Sequence, residues 1–401
     1  MQRSFLVLQG TASPFFGRLA AALRERGHWV RRVNFCGGDL IYSGSKGSWN
    51  YSDPVEHLLE WYGDIVKSGN FTDIVMFGDC REIHRPIHPI AEASGLRVHV
   101  FEEGYVRPHW LTLECGGVNG RSSLPKDPAV YYAARGSMPS AGVGRPTGYN
   151  LYERAFHDIR YRAANAFLSA RFPHYRSHRP KNGLFEYAGL ASRALLQRLH
   201  QGEAERVTAE LLAKGRGFYL FPLQLNSDAQ IIVHSPFDGV RDAIDRVMQS
   251  FAAYSEPDSL LVIKNHPLDT GLIEYRRYTE RLAHELRVAD RVRFIDAGHL
   301  PTLLDHAKGV VVVNSTVGLS ALHHRRPLIT LGDAIYSIPG LTWQGTLDEF
   351  WGQGSEPDMD LYQAFLDYIM HYTQINGDFY TRTGIEMAVK GSVDRLDRAH
   401  A

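Results

Sequence analysis

The chain has 401 residues, 44% of them hydrophobic, which is enough to bury one large core and more naturally two. Lys plus Arg balance Asp plus Glu at 44 each, so no whole-chain field argues for DNA, RNA or a strongly acidic partner, and any basic surface must be local. Three cysteines, Cys36, Cys80 and Cys115, are odd in number and lack paired metal spacing, as suits reduced thiols in a cytoplasmic protein. The apolar run near Phe5 is too short for a signal-peptide core, and no stretch approaches the roughly 18 apolar residues of a membrane span. A protein that is soluble, or at most rests on a membrane surface, is expected.

The first hundred residues alternate short apolar runs with amphipathic segments: "SFLVLQG", "PFFGRLAAALRERGH", "VRRVNF", "DPVEHLLEWYGDIVKSG", "DIVMFGD" and "RVHVFEEG". That is a βαβ rhythm. Leu19, Ala22 and Leu23 fall on one helical face and Arg18, Arg24 and Glu25 on the other, so this helix should cover one side of a parallel sheet. From about residue 115, "GGVNGRSSLPKDP" and "ARGSMPSAGVGRPTG" read as turn-rich loops. Between Tyr152 and Leu199, arginine and histidine mix with Phe and Tyr among few acids. This is either a helical subdomain with solvated cations or a surface that meets anionic lipid or a charged acceptor.

A second alternating block begins near Gly217 and runs through "GFYLFPLQ", "SLLVIKNHP", "RVRFIDA", "GVVVVNSTVGLSALHH" and "PLITLG". The expected fold is therefore α/β, with two doubly wound Rossmann-like domains facing a cleft, the GT-B architecture, plus a helical insert and C-terminal helices. The expected divisions are 1–205, with a helical, basic and aromatic segment at about 150–205; 206–345; and a helical tail, 346–401, packing back across both.

Ligands of such sheets bind beyond the strand C-termini, so the strand exits are where chemistry is sought. "VVVVNSTVGLSAL" runs from an apolar strand into Asn314, Ser315, Thr316 and a helix containing Gly318, which reads either as a phosphate site or as a helix N-cap. "LLVIKNHP" puts Lys264 and His266 two apart, on one face of an extended chain, as a point charge and a donor or acid. "FPLQLNSDAQI" supplies Gln224, Asn226, Ser227 and Asp228; the aspartate is a turn residue or a carboxylate nucleophile. "FGDCREIHRPIHP" carries Asp79, Arg81, Glu82, His84 and His88. Arg85 intervenes and no further ligand is matched, so a substrate-facing edge is favoured over a metal site.

Together, "FEEGYVRPHWLTLE", "GGVNGRSSLP", "FGDCREIHRPI", "KNHP" and "NSTVGLSAL" resemble the KpsS family of capsule polysaccharide biosynthesis proteins, with the longer two-module KpsC proteins as relatives. The resemblance implies a GT-B transferase that moves β-Kdo from CMP-β-Kdo, with retention, to a phosphatidylglycerol-type lipid at the cytoplasmic face of the inner membrane. It implies no cofactor beyond that donor, and a KpsC-type transferase and the capsule exporter as partners. It implies Asp228 as nucleophile, although Leu223 and Gln230 stand where the family's loop has glycine and serine. In such a double displacement Glu102 or Glu103 would deprotonate the acceptor; alternation turns only one of them toward the cleft, and Glu103 is favoured. Gly104 would allow a close backbone approach, and Arg107 would hold the sugar's carboxylate or pair with a neighbouring Glu. Lys264, His266, Asn314, Ser315 and Thr316 would hold the phosphate; Gln224, Asp79, Arg81 and His84 would line the sugar or acceptor side. The alternatives are an inverting CMP-sugar transferase with Glu103 as base, a nucleotide-sugar epimerase, or a non-catalytic assembly or export factor.

Overall fold

Two sheets organise the chain, and each carries its own helices and its own core. The computed structural model describes residues 2–43, 47–177, 200–213, 217–226, 228–269, 271 and 273–398. The chain divides into two compact units: residues 1–123, 136–178 and 367–401 form the first, and 124–135 and 179–366 the second. The units are thus interleaved along the sequence, whereas the sequence reading ran them end to end. Ser227 and the 178–199 part of the basic, aromatic segment lie outside the described residues.

In the first unit the strands are ordered β12 (Gln374–Asn376), β6 (Trp110–Cys115), β5 (Arg97–Glu103), β4 (Asp73–Phe77), β1 (Ser4–Val7), β2 (Trp29–Asn34) and β3 (Ser48–Asn50). The strands from β5 to β3 are parallel; β6 runs antiparallel to both β5 and β12. One sheet face is covered by α1 (Phe15–Glu25) and α15 (Arg382–Arg398), with Phe5, Val7, Val75 and Phe101 pointing into that core. The other is covered by α3 (Leu58–Gly69) and α4 (Ile87–Ala93) over Leu6, Leu8, Ile74, Met76 and Val100. This strict alternation follows from the pleat, and strands apolar on both faces are what a sheet sandwiched between helices needs. Helix α2 (Gly37–Ser43) and helix α6 (Leu151–Phe167) pack on each other beside β2.

The tail is not purely helical, as had been expected. Gln374, Ile375 and Asn376 pair with Thr112, Leu111 and Trp110, so the only apolar residue of β12 faces the core while its polar neighbours bond along the edge. Phe379 then meets Phe15 edge-on at 5.1 Å, a contact worth about 0.5–1.5 kcal/mol beyond its buried area. Helix α15 is tied down by Arg3, which bonds both Asp73 and the Leu396 carbonyl, and by His28, 2.7 Å from Asp397. Burial alone would raise the Asp73 carboxyl, but hydrogen bonds from His99, Arg3 and Thr72 hold it well below the usual range.

The second unit has a fully parallel sheet: β11 (Leu328–Thr330), β10 (Ala307–Val312), β7 (Phe218–Pro222), β8 (Leu260–Lys264) and β9 (Val292–Ile295). Its helices are α5 (Pro128–Ala134), α7 (residues 200–213), α8 (Ala229–Ile232), α9 (Val240–Tyr254), α10 (Tyr275–Glu285), α11 (Leu300–His306), α12 (Val317–His323) and α13 (Leu347–Gln353); the passage between units falls within α14 (Met359–Tyr372). Between the two stretches expected as loops, 116–128 and 134–148, lies α5, started by Asp127, whose side chain accepts from the Ala129 N–H. Trp351, Phe350 and Phe251 pack with Tyr219 and Ile244 in the core. Two Rossmann-like α/β units in one chain are the halves of the GT-B architecture.

Candidate active site

The acid pair sits where β5 leaves the first unit's sheet, and the pleat separates the two side chains. Glu103 shares a face with Phe101, the α1 and α15 side; Glu102 shares the other with Val100. Glu102 accepts from the Glu103 N–H at 2.9 Å, and its Oε2 lies on the side of Gly78 and Arg81. Glu103 accepts from the Tyr380 hydroxyl at 3.3 Å and pairs with Arg154 at 3.7 Å. Both carboxylates are half-buried.

The turn after Glu103 is held by the tail. Gln374 accepts from the Tyr105 N–H at 3.1 Å while donating to Thr112 at 3.0 Å. Gly104 is needed because a Cβ there would stand 2.2 Å from the Trp110 carbonyl oxygen, so the close backbone approach is to the chain's own hairpin. Arg107, exposed, donates to the Gly104 carbonyl at 3.3 Å rather than to either glutamate.

Parallel pairing brings the exits of β1, β4 and β5 level. The Phe77 N–H donates to Gln9 O, and the Gly78 N–H to Phe101 O. Arg81 reaches back over Phe77 to bond Gln9 Oε1 at 3.0 Å and Gly10 O at 2.9 Å, so it fastens the loop after β1. Gln9 in turn donates to Asp39, which accepts from Tyr161 of α6 at 2.7 Å. Asp79 is 1% exposed, and its Oδ2 has no hydrogen-bond partner among the described residues. His84 is fully buried and bonds Gly78 O through Nδ1; burial and the Arg81 charge push it down to about 3, so it is a neutral, structural ring. The ligand atoms of Asp79, His84 and His88 do not gather within 4.8 Å of one another among the described residues.

Glu114, at the end of "HWLTLE", was not singled out in the sequence. Tyr105 and Ser122 hydroxyls donate to it, yet burial, with the Asp79 charge adding to it, raises its carboxyl to about 7. The "GGVNGRSS" stretch closes over this region: a Cβ on Gly117 would lie 3.1 Å from Asp79 Oδ2.

In the second unit, β7 lies between β8 and β10, so Lys264 and Asn314 exit on the same edge, one strand apart on either side of Gln224. Carried two residues past the strand, the register sets Asn314, Gln224 and His266 level, with the flanking pair roughly 10 Å apart. His266 Nδ1 accepts from the Leu268 N–H at 3.0 Å, which makes the neutral ring an Nε2–H donor. Lys264 is 9% exposed. Asn265, between them, donates to Asp296 and Asp269, and Asp296 is braced by Arg276, which also clasps Glu203 with both Nη atoms at 2.8 Å.

Gln224 and Asn314 bond each other in both directions, Nε2 to Oδ1 at 3.1 Å and N–H to Oε1 at 3.3 Å. Asn314 Nδ2 also donates to the carbonyls of Gln230 and His234. These amides therefore fasten the Asp228 loop to β10. Asp228 accepts from the Gln230 N–H at 3.0 Å, starting the short α8. Ser315 Oγ accepts from the Val317 N–H, and Thr316 leads into the seven-residue α12. A Cβ on Gly318 would stand 2.2 Å from the Tyr336 hydroxyl, so this glycine admits an aromatic ring.

Comparison with known proteins places these features in a family. The family described as "Capsule polysaccharide biosynthesis protein" matches residues 72–380. The chain is 36% identical over 379 residues to the capsule polysaccharide export protein KpsS of Escherichia coli, covering 94% of this chain and 97% of that one. It is 34% identical over 386 residues to the capsule polysaccharide modification protein LipB of Neisseria meningitidis serogroup B, covering 94% and 92%. Among solved structures, Thermosulfurimonas dismutans KpsC, beta Kdo 2,7 transferase, aligns over 98% of this chain and 100% of that chain at 15% identity, with a TM-score of 0.41.

Proposed function

This chain belongs to the capsule polysaccharide biosynthesis protein family, and from that premise we propose that it is a glycosyltransferase which moves β-Kdo from CMP-β-Kdo to a phosphatidylglycerol-type lipid with retention of configuration. The observation that supports the reading is the parallel edge of the second unit, where Lys264 and the His266 Nε2–H leave β8 on the same sheet edge at which Asn314 and Ser315 leave β10, His266 level with Asn314. A cation, a fixed N–H donor and hydroxyls on one strand edge suit a nucleotide monophosphate.

In the proposed reaction an Asp228 carboxylate oxygen attacks the anomeric carbon as the bond to the phosphate oxygen breaks, and its electron pair leaves with CMP. Lys264, His266, Ser315 and Thr316 take up the charge of that leaving group, a role that needs no bound metal. The acceptor hydroxyl then attacks the same carbon from the vacated side. Glu103 removes its proton, the bond to Asp228 breaks, and two inversions give retention. Gln224 and Asn314 keep the Asp228 loop in register; Arg81 keeps the loop after β1 in place. The protein would act peripherally on the cytoplasmic face of the inner membrane, beside a KpsC-type transferase and the capsule exporter.

One observation favours a second reading. Asp228 already serves as the cap of α8, and a purely structural Asp228 suits an inverting single displacement with Glu103 as base. The test combines purified protein, CMP-Kdo generated in place and phosphatidylglycerol, with and without chelator. A singly glycosylated lipid by mass spectrometry, a retained anomer by NMR and a sugar adduct on Asp228 in acceptor-poor reactions support the retaining route. An inverted anomer selects the second reading. CMP release at background rejects both.

A further inference from the structure

Helix α6 has two apolar faces, and among the described residues only one of them is packed inside the fold. Its inner face is locked to α2: Tyr161 bonds Asp39 at 2.7 Å, Asn165 accepts from the Gly38 N–H at 2.6 Å, and His157 meets the Tyr42 hydroxyl at 2.8 Å. The helix lies so close there that a Cβ on Gly37 would reach within 2.2 Å of the Ala164 carbonyl oxygen. Rotation about its axis is therefore fixed.

The opposite face carries Tyr152, Phe156, Ile159, Ala163 and Phe167, spaced by four, three, four and four residues, which is one continuous stripe of an α-helix. The stripe is open to solvent: Tyr152 is 88% exposed, Phe156 61%, Ile159 56% and Phe167 88%. A helix held this firmly with this much exposed aromatic and aliphatic surface is presenting that surface to something else. Its rim says what. Arg160 flanks the stripe with its guanidinium over the Tyr42 ring, Arg162 is anchored on the opposite flank by Asp158, and exposed Arg171 follows in the next turn.

We propose that the outer stripe of α6 is an interfacial docking face that seats the protein on an anionic lipid bilayer, Tyr152, Phe156, Ile159 and Phe167 entering the headgroup and acyl boundary and Arg160, Arg162 and Arg171 meeting lipid phosphates. An apolar stripe bordered by arginine is the chemistry of a helix lying in a membrane surface. The inner face of the same helix supplies Arg154 to Glu103. A bilayer on the outer face thus lies about one helix diameter, roughly 10 Å, from the acid edge, where a lipid acceptor has a short path to it. The docking face stands on α6 alone; its value for catalysis rests on the transfer reaction proposed above.

The test is co-sedimentation of the full chain, without donor sugar, with phosphatidylcholine vesicles and with vesicles containing phosphatidylglycerol. The wild type is expected to sediment with the anionic vesicles, less so at high salt. The combined variant Phe156→Gln, Ile159→Gln, Phe167→Gln should lose at least tenfold in partition with unchanged circular dichroism, because glutamine retains helix propensity. Arg160→Gln and Arg171→Gln should each cost roughly fivefold. A Phe156→Trp variant should show a blue-shifted emission on anionic vesicles only. Equal partition of wild type and the glutamine variant would overturn the proposal, as would a wild-type dimer that the glutamine variant converts to monomer, since a second copy would then cover the stripe. Vesicle binding without sugar transfer would sink the enzymatic reading and leave the docking face standing.

Discussion

Arg154 Nη1 lies 3.7 Å from Glu103 Oε1, and the Tyr380 hydroxyl approaches the same oxygen at 3.3 Å. The charge of Arg154 is itself favoured by Tyr380 and Glu103, against the burial that opposes it. One glutamate of the pair is thus oriented by a cation and a phenol from distant parts of the sequence, while Glu102 is held by its neighbour's backbone. Replacing Glu103 by Gln should lower turnover by about 10²–10⁴, the range for loss of a general base. Glu102→Gln should cost clearly less. CMP release at saturating donor measures both, and equal losses would refute the division of roles.

The reciprocal amide pair of Gln224 and Asn314 makes a stability prediction. Asn314→Ala removes a donor from the Gln230 and His234 carbonyls and leaves the buried Gln224 Nε2–H without its Oδ1 acceptor, and should cost about 1–3 kcal/mol. Adding Gln224→Ala should cost less than the sum of the singles, because each change removes the other's partner. Urea unfolding of the four proteins measures the coupling.

His266 should be found by nitrogen NMR as the neutral Nε2–H tautomer, since Nδ1 is engaged by the Leu268 amide. If Nε2–H meets the donor phosphate, His266→Ala should lower kcat/KM by the equivalent of about 1.5–3 kcal/mol, the value of a hydrogen bond to a charged group. A full-rate His266→Ala enzyme would remove this residue from the site.

Glu114 predicts a pH dependence of stability. Its carboxyl is raised from 4.5 to about 7 in the folded protein, so between those values the native state binds the extra proton, and this group's contribution falls as pH rises. Glu114→Gln removes the dependence and still accepts from Tyr105. Relative to wild type, the variant should gain on the order of 3 kcal/mol between pH 5 and pH 8. The depressed Asp73 acts at lower pH, where its contribution is lost on acidification, and does not confuse the comparison. Urea titrations at the two pH values give the answer; a constant difference would show that Glu114 is ionised throughout.

What could be read from the sequence followed from short-range physics. The apolar runs of β7, β8 and β10 announce buried parallel strands, and period-two alternation is enough to put Glu102 and Glu103 on opposite faces. The hairpin that sends β6 antiparallel was not legible, and neither was β12. A strand of three residues has no periodicity, and Gln374 finds its partners more than two hundred residues away in sequence. Nor does a polar residue at a strand exit declare whether it faces a ligand or another side chain. Asn314 and Gln224 looked like ligand groups and turn out to bond one another, while Glu114 and Tyr380 gave no local sign of their surroundings.

The interleaving of the two units sets an order in time. During synthesis Glu102 and Glu103 emerge well before Gln374, which seats the turn beside them, and Tyr380, which meets Glu103; the strands of the second sheet are made in between. A nascent chain that has already built its second sheet still has an unfinished wall on its first, so the acidic edge can mature only after every strand of the second sheet has left the ribosome.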